Sequence, residues 1–511
     1  MALSSALTSP LHYSTTILPN GQTWLDSSVS NNTAAFLANT QSAIDIYMAS
    51  GLSNGMIDGI EYWQAANGYT AMVLHDAWSG STANHGTLLD NLTVVMSSTG
   101  HDDAHDGGSA RTRGFINEFN DDSLWWGLAA LETWELLPDK VMAEPLVAAA
   151  RHVWDHVSNF TLPKGTKAAD GTDMSGGVIW TARAGEGAVN SITSGLFAEL
   201  GARLAVHEQQ FSEKRERYMQ ESQEALGWIL RTRYNEAEKL VMDTIDYKTG
   251  ETHDWTFTYN TGQTIAAAVA LYKALQQTEP RPSSNSNENN TRAHPRAFTI
   301  PFFRTRDRQL SSSLTNPSPS NPPTAAQYLR TALDMALPSL TRTSSPRWID
   351  AATGILTELD AYPGNPPLNA TQNNDAVGFK SVLLRSLVKL CRALREGDDL
   401  ESARGGGGGG SGDVDRDAAQ VKLKEFVQRQ FMGVMTLNRD FRRSSSRKDD
   451  DDDDGDNDEG GVDKEEDPPL RFGPWWAGPW DTPTSHSQMA ALDVVAALWG
   501  VTERGPVDYI V

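Results

Sequence analysis

Cysteine is almost absent from this chain: Cys391 stands alone among 511 residues. An intramolecular disulfide is therefore excluded, and so is a cysteine-based metal centre. Basic residues are also scarce, with 43 Lys and Arg against 66 Asp and Glu and a formal net charge of −23. That balance disfavours nucleic acid and anionic membranes as partners, and it accommodates a neutral substrate more easily than a polyanion. No apolar run reaches the roughly 18 residues that would suggest a membrane-spanning helix. Sustained period-two alternation is missing too, so strands are expected to be minor. No phosphate-binding loop, dinucleotide glycine fingerprint or nucleophile elbow occurs, and no cofactor is expected. Met1-Ala2-Leu3-Ser4-Ser5 lacks a basic region followed by an apolar stretch and does not read as a secretory signal. Asp508-Tyr509-Ile510-Val511 carries no hydrophobic tail for a lipid anchor. Several of the sequons at Asn31, Asn91, Asn159, Asn289 and Asn369 are expected by chance in a polar chain of this length, so together they favour secretion only weakly.

What the chain has in abundance is helical pattern. Residues 1–30 read as an irregular lead-in. Thereafter six segments open on a polar or aromatic cluster and continue with small apolar residues on nearly every side: Trp63 to Trp78, Asp121 to Leu137, Asn190 to Val206, Asn260 to Leu275, Asn374 to Leu390 and Ser485 to Trp499. Between them run six amphipathic segments, near Thr33–Met48, Thr87–Ser98, Lys140–Val157, Ser212–Arg233, Thr324–Leu337 and Arg416–Met435. A helix apolar all round must be buried, whereas one with a charged face lies at the surface. Six of each in alternation predict an all-α fold, an (α/α)6 barrel, with the polar starts of the inner helices sharing one rim. A single domain over residues 31–505 is expected. Insertions of disorder-type composition interrupt it at about 283–323, 396–413 and 442–469, where a poly-Gly run and six consecutive aspartates (Asp449–Asp454) occur.

The chemistry is expected where Asn120-Asp121-Asp122-Ser123-Leu124-Trp125-Trp126 opens the second inner helix. Paired carboxylates beside flat aromatic faces suit glycosidic bond cleavage, which needs one ionised and one protonated acid, while indoles support sugar rings. Asn and Asp are also favoured helix caps, so the triplet alone is ambiguous. Further rim candidates are Trp63, Trp180 after the Gly176-Gly177 turn, Asn190, Asp243, Tyr259, Asn260, Trp475 and Trp476 in a Trp-rich loop, and Gln488. For the Gly-Gly turn, for Asp243 and for the Trp-rich loop, simple structural roles are open alternatives. His101-Asp102-Asp103-Ala104-His105-Asp106 mimics a metal-ligand set, but its Gly- and Ser-rich surroundings read as a solvated loop, and no metal site is assigned. The aspartate run lacks the spacing of a calcium loop.

At these residues the chain resembles glycoside hydrolase family 76, the α-1,6-mannanases, including fungal cell-wall members of the Dfg5/Dcw1 type. Asn120–Trp126 is similar to the family's Asn-Asp-Asp-x-x-Trp-Trp signature. Gly176–Trp180 with Asn190–Phe197, then Trp255–Tyr272, then His486–Asp493, resemble its later motifs in order. Ser194 and Gly195 depart from the family pattern, which usually has Asn and an acidic or small residue there. The resemblance implies an (α/α)6 barrel and a retaining mechanism cleaving α-1,6-mannosidic linkages, with Asp121 as nucleophile and Asp122 as general acid/base. It implies contact of Asn120, Trp125, Trp126 and the rim residues above with α-mannan or a mannose-containing glycan, and a monomer is expected. It also suggests an extracellular or cell-wall location, which the two chain ends do not signal. Transglycosylation by the same acids, or mannan binding without turnover, are the alternative readings.

Overall fold

The computed structural model describes residues 33–98, 114–277, 312–315, 323–362, 369–403, 416–440 and 470–502. The lead-in 1–30, the His101–Asp106 cluster, the Asp449–Asp454 run and most of the expected insertions lie outside the described residues.

Thirteen helices follow in chain order among the described residues: α1 (Thr33–Met48), α2 (Tyr62–Ser79), α3 (His85–Ser97), α4 (Asn120–Leu136), α5 (Lys140–Ser158), α6 (Ser191–Val206), α7 (Glu213–Thr232), α8 (Thr258–Gln276), the single turn α9 (Ser312–Thr315), α10 (Ala325–Ser339), α11 (Asn374–Ala403), α12 (Arg416–Leu437) and α13 (Ser485–Val501). Helix α11 runs on to Ala403, into a stretch whose composition had suggested a linker.

Helices α2, α4, α6, α8, α11 and α13 each pack on the next, and α13 closes back onto α2. The ring is the inner layer of an (α/α)6 barrel. Its helices are buried on nearly all sides: in α8 every residue from Thr258 to Ala274 is buried except Tyr259 and Lys273. Small residues permit this closeness. A Cβ on Gly262 of α8 would lie 2.6 Å from the Leu383 Cα of α11. The outer helices bury one stripe each; α5 turns Leu146, Val147, Ala150, Val153, Trp154 and Val157 inward, the i, i+3, i+4 spacing of a half-exposed helix.

A buried polar column runs between the inner helices. Arg385 of α11 donates to Asp493 of α13 at 3.0 and 2.8 Å and to Asn67 of α2 at 2.7 Å. Lys389, one turn on, donates to Glu132 of α4 and Glu199 of α6 at 3.0 and 2.7 Å. Charges this deep persist only when paired and hydrogen-bonded, so these contacts also hold helices from different parts of the ring in register.

Candidate active site

The loops entering the inner helices are laced together at one mouth of the barrel. Short strands Ala188–Asn190, Thr244–Asp246 and Thr252–His253 form an antiparallel sheet in which Asn190 pairs with Thr244. The Asn120 amide donates to the Trp180 carbonyl at 2.8 Å, the Trp180 amide to Ala188 at 2.8 Å, and the Ser191 amide to Asp243 at 3.0 Å. Backbone pairing thus brings the starts of α4, α6 and α8 side by side, although they are far apart in sequence.

Asp121 and Asp122 occupy the first turn of α4, where a helix end favours anionic groups. They do not cap it. The cap position is Phe119, which supplies no side-chain hydrogen bond, and Asn120 donates instead to the Ile179 carbonyl at 2.8 Å. The Trp180 indole N–H lies 3.1 and 3.0 Å from the two Asp121 oxygens, and the Asp122 amide donates to Asp121 Oδ1 at 3.0 Å. Asn117 Nδ2 donates to Asp122 Oδ2 at 2.8 Å. Burial pushes Asp121 up to about 7, against the pull of these N–H donors, and the nearby negative charge of Asp243 pushes the same way. Asp243 is itself raised by burial, opposed by hydrogen bonds from Asn260 at 2.9 Å, Thr244 at 3.2 Å and Tyr259 at 3.4 Å.

Aromatic rings continue from the acids across the mouth. Trp63 stacks on Trp125 at 6.2 Å and on Phe379 at 6.3 Å between centroids, and Phe379 stacks on Tyr259 at 4.3 Å. Phe257 and then Trp255, 55% exposed, extend the row. Trp180 is 38% exposed over Phe119.

Several expected sugar contacts have other surroundings. Trp126 is fully buried, enclosed by Phe115, Tyr62 and Tyr69, so no ring can reach it; it is a core residue. Trp476 is buried beneath the Lys380 ammonium. Gln488 ties its amide to Ala43, Leu470 and Phe472, closing the Trp-rich loop onto α13. Asn190 caps α6 through the Thr193 amide at 3.1 Å. Asn120 and Asn260 are fully buried, Asn120 tied to the Ile179 carbonyl and Asn260 to Asp243. Trp180, Asp243 and Tyr259 stand together around Asp121. Trp63 is half-buried on the same row of rings, and Trp125, one turn along α4, is buried beneath it and is a core residue rather than an open sugar contact. Trp475 lies in the segment before α13, its ring edge-on to Tyr362 at 5.0 Å.

The structure adds residues that the rim candidates did not include. Asp375, in the first turn of α11, accepts from Trp63 and Gln64. Its signal was legible: Asn373-Asn374-Asp375 opens an inner helix as Asn120-Asp121-Asp122 does. Glu358 accepts from both the amide and the hydroxyl of Thr258 at the start of α8 and faces Lys380. Burial raises Glu358 to about 7 and lowers Lys380 to about 8. Glu358 lies between helices without a motif, so no local pattern marked it. No group of three or more metal-ligating side chains is found among the described residues, and no helix among them is long and apolar enough to cross a membrane.

Residues 28–281 match the model of the family described as glycosyl hydrolase family 76. Similar solved structures include an inactive variant of the α-1,6-mannanase GH76A of Salegentibacter sp. HEL1_6, substituted at two consecutive aspartates and in complex with α-1,6-mannotetrose. It is 16% identical, with 91% of this chain and 99% of that one covered and a TM-score of 0.57. Dfg5 from Chaetomium thermophilum in complex with glucosamine is 14% identical over 91% and 90%, with a TM-score of 0.53. A family 76 glycoside hydrolase from a bovine Bacteroides thetaiotaomicron strain is 14% identical over 91% and 77%, with a TM-score of 0.53. No curated protein matches the chain. At these identities the likeness shows the shared barrel.

Proposed function

Since the chain belongs to glycosyl hydrolase family 76, we propose that it is a glycosidase cleaving α-1,6-mannosidic linkages in mannan by a retaining, two-carboxylate mechanism. The observation that carries this reading is the Asp121–Asp122 pair at the aromatic mouth, with Asp121 clamped by the Trp180 indole and Asp122 steadied by Asn117. The similar α-1,6-mannanase made inactive by substitution of two consecutive aspartates supports it.

In the first step the Asp121 carboxylate attacks the anomeric carbon while the Asp122 carboxylic acid gives its proton to the departing glycosidic oxygen. The C–O bond to the leaving sugar breaks as the ester bond to Asp121 forms. Asp122, now ionised, takes a proton from water, whose oxygen attacks the same carbon and frees Asp121. The Trp180 N–H favours the ionised Asp121 that begins and ends this cycle. The half-buried Trp63 and Tyr259 offer faces and edges for sugar rings beside the acids, with Trp125 packed behind Trp63, and Asp243 holds Tyr259 in place.

Purified protein assayed on α-1,6-mannan with product sizing tests the reading. Asp121→Asn should lower turnover by about 10⁴-fold or more and Asp122→Asn by about 10²–10⁴-fold, with unchanged helix content. Near-normal turnover in either variant would overturn the assignment.

A further inference from the structure

Across the mouth from the catalytic pair, α11 presents a carboxylate that the proposed bond cleavage does not use. In ring order α4 is second and α11 fifth, so the two helices face each other. Asp375 is half-buried. Its Oδ1 is fixed by N–H donors from two residues of α2, the Trp63 indole at 3.3 Å and the Gln64 amide, whereas its Oδ2 accepts no hydrogen bond among the described residues. Two donors on one oxygen hold the plane of the carboxylate and leave the other oxygen free to accept.

The surroundings are those of a sugar platform. Phe379, one turn along α11, is itself buried and backs the half-buried Trp63, which stacks on it and joins the row that leads to Trp125 and Tyr259. Tyr362 is 5% exposed, yet its hydroxyl has no hydrogen-bond partner among the described residues, and it lies in the field of both Glu358 and Asp375. A buried hydroxyl without a partner is costly unless something supplies one. Its ring meets Trp475, a half-buried member of the Trp-rich loop. A carboxylate acceptor, a waiting hydroxyl and an indole on the wall suit a neutral hexopyranose, whose hydroxyls donate and accept and whose C–H faces cover indole rings.

We propose that Asp375, with Trp63 and Tyr362 and with Phe379 buried behind them, forms a subsite for a neutral sugar ring one or more units away from the bond cleaved at Asp121 and Asp122. The assignment rests on the glycan-cleaving reading above. It makes Asp375 a residue that selects for chain length rather than one that takes part in bond cleavage.

The test uses the full chain carrying Asp121→Asn and Asp122→Asn, so that binding is measured without turnover. Affinity for α-1,6-mannotetraose is read by calorimetry with and without Asp375→Asn. That change keeps an oxygen for Trp63 and Gln64 but replaces the free acceptor with a donor and removes the charge. Binding should weaken about tenfold while the melting temperature stays constant. In the chain with its catalytic acids intact, Asp375→Asn should raise KM for the tetraose by a similar factor. Unchanged affinity for the tetraose would overturn the subsite and leave the mannanase reading standing. If the parent ignores the tetraose but binds another neutral oligosaccharide from a panel of glucan, xylan and chitin fragments, loss of that binding in Asp375→Asn upholds the subsite and overturns mannan as substrate. A parent that binds no neutral oligosaccharide overturns both.

Discussion

Asp121 is where burial and hydrogen bonding compete most directly. Removal from water pushes its carboxyl up to about 7, and the N–H groups of Trp180 and Asp122 oppose that. As nucleophile it must be ionised, so kcat/KM should rise with pH along a limb centred near 7; a limb falling through 7 would give Asp121 the acid's part instead. Replacing Trp180 by Phe keeps the ring over Phe119 but removes the donor. The pKa should then climb further, moving the limb up by about one unit and lowering kcat/KM at pH 6 about tenfold. The same raised pKa bears on stability. A carboxyl whose folded pKa exceeds its unfolded value near 4 helps the fold at low pH, and that contribution is lost as pH rises toward 7. Asp121→Asn, inactive by the mechanism above, should therefore melt higher than the parent at pH 8, with the gap closing at pH 4; calorimetric scans at both pH values check the sign.

At the scale of elements, the alternation of all-round apolar and one-sided helices was legible because burial constrains composition along a whole helix, and every expected inner and outer helix is present. Pattern does not report how closely two such helices approach. At Gly262 the α8 and α11 backbones meet so tightly that an added Cβ would sit 2.6 Å from Leu383 Cα and 2.9 Å from its amide nitrogen. Backbone cannot yield as a flexible side chain does. Gly262→Ala should thus destabilise by about 1–3 kcal/mol, read from denaturant unfolding, although Ala is the better helix former. Trp126 and Gln488 show the converse limit. Their motifs drew attention to the right helices, but which side of a helix faces the mouth and which the core depends on neighbours far away in sequence, such as Phe115 and Leu470.

The molecule as a whole is held by closure of its ring. Arg385 joins α11, α13 and α2 through Asp493 and Asn67. Arg385→Ala would leave Asp493 buried without its partner and should cost about 3–5 kcal/mol in urea unfolding. We propose that the low-complexity stretch at 442–469 is an insertion in a single domain. The residues on either side of it are already adjacent: Arg439 and Phe472 form an antiparallel bridge, and the Asp440 amide donates to Arg471 at 2.8 Å. Replacing 442–469 by a short Asn-Gly turn should preserve the melting temperature and mannan hydrolysis, and loss of either would show that the stretch contributes to the domain.

The sequence by itself determined the twelve barrel helices, though not the single turn α9, together with the division into buried and half-buried layers and the place of the paired acids at a helix start, because burial and end effects act over one or a few turns of chain. Only the tertiary structure decided which aromatic rings line the mouth, that Trp180 rather than a cap holds Asp121, and that Asp375 faces the pair from across the ring. Those relations join segments dozens to hundreds of residues apart, and closure of the barrel, not any local preference, brings them within hydrogen-bonding reach.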